Sequence, residues 1–81
     1  MSERRGIEAP ELAGYEVGVY NRLVREALAE GRNHRHLSDS WADVHWHEIM
    51  ARDEADARTR ITSRYPERAG YVVTEVVRTG D

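Results

Sequence analysis

The sequence predicts a small α+β domain in two layers, ordered α-β-α-β and ending in a β-α-β unit. Three observations carry that reading. Between residues 12 and 30 the apolar side chains recur at 12, 15, 19, 20, 23, 24, 27 and 28, which is helical spacing. Residues 53–65 have the cap and the charge order of a second helix. Residues 71–77, Tyr-Val-Val-Thr-Glu-Val-Val, are the β-branched kind of run that forms strands.

The first segment admits two readings. Helix over residues 15–30, closed by Gly31 as its C′ residue, is the favoured one. The alternative takes 15–20 as a short strand, because Tyr15, Val17 and Val19 alternate with other residues, and starts the helix near Asn21. Gly18 weakens either. Residues 31–40 are polar, with Leu37 as their one apolar anchor, and lead to a strand over 43–51. Its two faces differ: Val44, Trp46, Glu48 and Met50 point one way, and His45, His47, Ile49 and Ala51 the other. A strand with apolar residues on both faces is covered, at least in part, on both sides.

The helix over 53–65 is the best specified element. Asp53 suits the N-cap, Glu54 and Asp56 sit in the first turn, and Arg58, Arg60 and Arg64 follow toward the C-terminus. Glu54–Arg58 and Asp56–Arg60 are spaced i,i+4 in the favourable order. Ala57, Ile61 and Tyr65 form the inward stripe, and Pro66 ends the helix. Residues 1–11 lack periodicity, contain Gly6 and Pro10, and read as a flexible tail; residues 12–81 read as one domain.

An 81-residue chain buries only about 60% of the surface that its unfolded form exposes, so its core is thin. With no cysteine, a disulfide, a thiolate metal site and a cysteine nucleophile are excluded. The sheet therefore needs completion by a third strand or by dimerisation, since two strands alone are marginal. No apolar run approaches the roughly 20 residues of a membrane helix, and a cytoplasmic location is the default expectation.

Net charge is −3, and six arginines against seven acids in residues 1–40 are matched by six against eight in 41–81. Neither half forms a basic patch that would grip nucleic acid. Arg22, Arg25, Arg32 and Arg35 make the first helix and its loop locally basic, but Glu26 and Glu30 interleave, so a solvated helix face is the simpler account.

Two constellations bear on chemistry. His34, His36, His45 and His47 fall within 14 residues, two of them on one strand face, and imidazoles with water or a carboxylate are a donor set for zinc. Short His-x-His pairs also arise by chance, and no third ligand is set by spacing. Trp41 and Trp46, with Val44 and Met50, form a candidate interface, since tryptophan is enriched at interaction hot spots; the competing role is core filling. Asp39, Asp43 and Glu48 could serve acid–base work, but Asp39 suits a turn cap and Glu48 a solvated strand face. No catalytic or cofactor motif emerges, and the expectation is a non-catalytic cytoplasmic domain acting through protein association, most simply as a homodimer. Metal binding through the histidines and weak nucleic-acid binding through the first helix are the alternatives.

Overall fold

Residues 13–21 form the central strand, not the start of a helix. The computed structural model describes residues 11–79. Its order is β1 (Ala13–Asn21), α1 (Arg22–Ala29), a 3₁₀ turn (Asp39–Ala42), β2 (His45–Ala51), α2 (Glu54–Arg64), a second 3₁₀ turn (Glu67–Ala69) and β3 (Tyr71–Arg78). The α+β class holds, while the expected α-β-α-β order becomes β-α-β-α-β. The expected flexible tail over 1–11 lies, apart from Glu11, outside the described residues.

The sheet order is β2-β1-β3, and both ladders are antiparallel. The C-terminal β-α-β unit is thus a split one: β2 and β3 run parallel but are separated by β1. The third strand comes from the chain itself. β1 wins over the helical reading because Tyr15, Val17 and Val19 can all be buried on one face of a pleat. All three are buried there, together with Asn21.

Ala51, Ala57 and Ile61 join Tyr15, Val17 and Val19 in the core, with Ile49, Tyr65, Tyr71, Val73 and Val76 packed around them. The small Ala57 and the branched Ile61 let α2 lie on this face, as its apolar stripe predicts. Asp53 caps α2 through its carboxylate, which accepts from the Asp56 backbone N–H at 2.8 Å. Asp56 in turn accepts from the Arg52 backbone N–H at 2.9 Å and pairs with the Arg52 and Arg60 guanidiniums. These contacts, the Arg52 backbone first, lower its pKa to about 2.

One residue changes the faces of β3. Gly18 pairs with Glu75 but Val19 pairs with Val73, so Thr74 is an extra residue in a β-bulge. Its hydroxyl donates to the Gly18 carbonyl at 3.2 Å. The bulge resets the alternation, placing both Val73 and Val76 under α2, and Val72, Glu75 and Val77 on the opposite face.

The strand-to-helix corner is held by Asn21. Its side-chain oxygen accepts from the backbone N–H groups of Leu23 and Val24, at 2.9 and 3.2 Å, and its amide donates to the Ala69 carbonyl at 3.0 Å. Gly70, at φ 99°, closes against this corner; a Cβ there would meet Asn21 Oδ1 at 2.7 Å and Leu23 Cγ at 2.8 Å. At the far end of α1, Gly31 follows at φ 76°, as expected of a C′ residue. Replacing Asn21 with Ala removes a helix cap and leaves the Ala69 carbonyl unpaired. The expected loss is about 2–3 kcal/mol in denaturant unfolding, far above that of an exposed Asn33→Ala control.

Candidate functional site

The residues singled out by the sequence divide between the two faces of the sheet. On the face carrying α2, β2 presents His45 and His47, and the 3₁₀ turn at Asp39–Ala42 folds Trp41 over them. The Trp41 ring stacks on His45 at 4.2 Å between centroids and 7° between planes. It also lies 6.1 Å from His47, 5.4 Å from Tyr65 and 5.2 Å from Tyr71. His47 meets Tyr65 at 4.9 Å, and Tyr65 meets Tyr71 at 5.1 Å. Five rings from four segments thus close one end of the core. Ser38 starts the turn by capping Ser40, and His45 Nε2 donates to the Ser40 carbonyl at 2.8 Å. Asp39 is not the cap; its carboxylate accepts from the Asn33 amide at 2.9 Å.

Trp41 therefore belongs to this cluster and does not share a face with the other expected interface residues. Nor do the four histidines converge. His34 and His36 lie in the loop, where His34 Nδ1 accepts from the His36 and Leu37 backbone N–H groups at 3.0 Å. Among the described residues, no three His, Asp or Glu side chains gather into a set that could hold a metal ion. Glu48, the nearest carboxylate in sequence, projects from the opposite face to His47.

His47 is the chemically distinctive member of the cluster. Its Nε2 is shielded from solvent and has no hydrogen-bond partner among the described residues. Burial first, and then the proximity of His45 and Arg64, hold its pKa below the ordinary 6.5. Burial also raises the pKa of Tyr71, with Tyr65 adding to the effect. The imidazole is packed among rings, where burial favours its uncharged form.

The other face is formed by Gly14, Glu16, Gly18 and Tyr20 on β1, flanked by the outward residues of β2 and β3. Val44, Trp46 and Met50 come together there as expected, and Val77 joins them across β1. Trp46 is 51% exposed and Met50 53%. A Cβ on Gly18 would lie 3.2 Å from the Trp46 ring and 2.7 Å from the Thr74 hydroxyl, so the glycine leaves room for the end of the indole and for that hydroxyl beside the central strand. Three carboxylates interrupt this apolar surface: Glu16 and Glu48 are direct cross-strand partners, and Glu75 stands opposite Gly18. Tyr20 marks one end of the face, with the Arg25 guanidinium 3.7 Å above its ring. At the other end an open hollow of about 320 Å³ lies beside Gly14, Glu48, Met50 and Thr79. Sequence reasoning missed Val77 and Gly18, whose facing depends on the bulge and the strand pairing.

The arginines of the first helix are engaged locally. Arg25 donates through Nε and Nη2 to the Ala42 carbonyl at 2.9 and 2.7 Å. Arg22 pairs with Glu26, and Arg32 with Glu30. No helix among the described residues is long and apolar enough to cross a membrane. No protein-family model, curated protein or solved structure matches the chain.

The depressed pKa of His47 sets a pH dependence. Folding weakens its hold on a proton, so below about pH 6.5 the unfolded chain binds more protons than the folded one. Its contribution is complete above that pH and is lost as the pH falls below it. The melting temperature is expected to drop from pH 7 to pH 5, and His47→Phe to flatten that slope. Asp56, with its pKa at about 2, does not titrate in this window. An unchanged slope in the variant would remove His47 as the cause.

Proposed function

We propose that this protein is a non-catalytic, cytoplasmic association domain that pairs with a second copy of itself through the open face of its sheet. The observation that carries the reading is the apolar surface around Gly18. Val44, Trp46, Met50 and Val77 are all partly or half exposed on one side of a three-stranded sheet. A soluble antiparallel sheet ordinarily alternates apolar and polar residues, with the outward face polar. Here both faces carry large apolar groups, and α2 occupies only one.

The size of the face limits any dimer to a weak, reversible one. Three strands about 4.8 Å apart and about seven residues long span roughly 350 Å² in projection, and more along the corrugated surface. That is less than half of the roughly 800 Å² per partner of a standard interface. Association at micromolar strength or weaker suits such an area.

Sedimentation at tens of micromolar is expected to show a concentration-dependent monomer–dimer equilibrium. Trp46→Ala is expected to weaken it about 30-fold or more, as loss of a hot-spot tryptophan of about 2 kcal/mol would. Far-ultraviolet circular dichroism of the variant stays that of the parent. A compact monomer at all concentrations, or a dimer indifferent to Trp46→Ala and Met50→Glu, ends this reading.

A further inference from the structure

β3 ends the sheet order, so one side of its backbone meets β1 and the other meets no strand. The hydrogen bonds at its two ends show which groups turn which way. The Gly70 carbonyl accepts from the Arg22 N–H at 2.8 Å, and the Thr79 N–H donates to the Gly14 carbonyl at 2.9 Å, so residues 70 and 79 face β1. Alternation from each end toward the bulge then turns the N–H and C=O groups of Tyr71, Val73, Val76 and Arg78 outward. Among the described residues, no turn, loop or side-chain group bonds them.

The bulge decides what can pair with this edge. A regular strand falls out of step at the extra residue, Thr74, which is how a bulge ordinarily protects a sheet edge. A second β3 running antiparallel is bulged at the same place and keeps step on both sides of it. Tyr-Val-Val-Thr-Glu-Val-Val-Arg also reads nearly alike in both directions. Centred on Thr74 and Glu75, the register sets Tyr71 against Arg78, Val72 against Val77 and Val73 against Val76.

These pairs match in backbone, in facing and in chemistry. Tyr71 with Arg78, and Val73 with Val76, join outward groups to outward groups; Val72 and Val77 form the pair between, whose groups turn to their own β1. Tyr71, Val73, Val76 and Arg78 all stand opposite buried residues of β1 (Asn21, Val19, Val17 and Tyr15), so both members of those pairs lie on the side of α2. Val72 and Val77 share the open face. Valine meets valine, and Arg78 comes beside Tyr71 at an open hollow of about 300 Å³ that Glu67 and Arg58 also line. A shift of one residue sets outward groups against inward ones. The two Glu75 carboxylates flank the axis on the open face, where water weakens their repulsion.

We propose that two copies join β3 to β3, antiparallel about a twofold axis at Thr74 and Glu75, into one continuous sheet. Both α2 helices then lie on one side and both open faces on the other, so the contact leaves the open face uncovered. It is independent of the face-to-face pairing proposed above.

Because the chain has no cysteine, introduced thiols report the register. In the joined sheet Val72 and Val77 are a non-hydrogen-bonded pair with Cα atoms about 4.5 Å apart, within disulfide reach. Each is more than about 10 Å along the strand from its own copy. Val72→Cys and Val77→Cys proteins, both also carrying Trp46→Ala to remove pairing through the open face, are mixed at high concentration and oxidised in air. The mixed disulfide is expected to exceed the two homodisulfides several-fold. In Trp46→Ala protein without cysteine, the outward amide protons of Val73 and Val76 are expected to exchange more slowly as concentration rises. Statistical pairing of the thiols, or exchange indifferent to concentration, overturns the edge contact. Self-association that vanishes with Trp46→Ala belongs to the open face alone and overturns it too, while leaving the proposed function standing.

Discussion

Every backbone ladder of this sheet runs through β1. It pairs with β2 on one side and with β3 on the other, and β2 and β3 do not touch each other. The chain therefore has to deliver its first strand between two segments that come later in sequence. Asn21 and Gly70 make that delivery possible. The asparagine ends the strand, caps the helix that follows and ties the corner to the turn before β3; the glycine is the residue whose missing side chain leaves room for it. Most buried polar groups are hydrogen-bonded, and Asn21 follows that rule through three hydrogen bonds.

A second constraint follows from how little chain is left for covering layers. α2 lies on one face, and α1, at eight residues, packs chiefly on the 3₁₀ turn and not across the sheet. Aromatic rings do the work that a longer helix would do elsewhere. Trp41, His45, His47, Tyr65 and Tyr71 seal the end of the core beyond α2. This arrangement favours the uncharged form of one imidazole, a nitrogen of which has no partner among the described residues. The two tryptophans, five residues apart, thus have opposite roles, one closing the core and one lying on the outer face.

The outer face combines three properties seldom met on a solvated sheet. It is apolar over much of its area, it has a glycine where the end of the Trp46 ring reaches toward the central strand, and its charges are three carboxylates, two of which, Glu16 and Glu48, stand directly opposite each other. Like charges in that position destabilise a sheet.

Residues 53–65 were legible because everything that makes α2 is local: a carboxylate cap, acids before bases, and an apolar stripe of period 3.6. The two outer strands were legible for the same reason, through β-branched composition and alternation. Tyr15-Glu-Val-Gly-Val-Tyr satisfies helix and strand periodicities alike, and only burial between two partners decided for strand. That same choice split the β-α-β unit. The facing of Val76 and Val77 rests on the Thr74 bulge, which exists only in the register against Gly18. The separation of Trp41 from Trp46 depends on a turn folding back over β2. Composition and short-range pattern determined which segments would be helix and strand in the second half of the chain. Contacts between residues some 30 to 60 apart decided the order of the sheet and what each face displays, because pairing energy is gained only once distant strands meet.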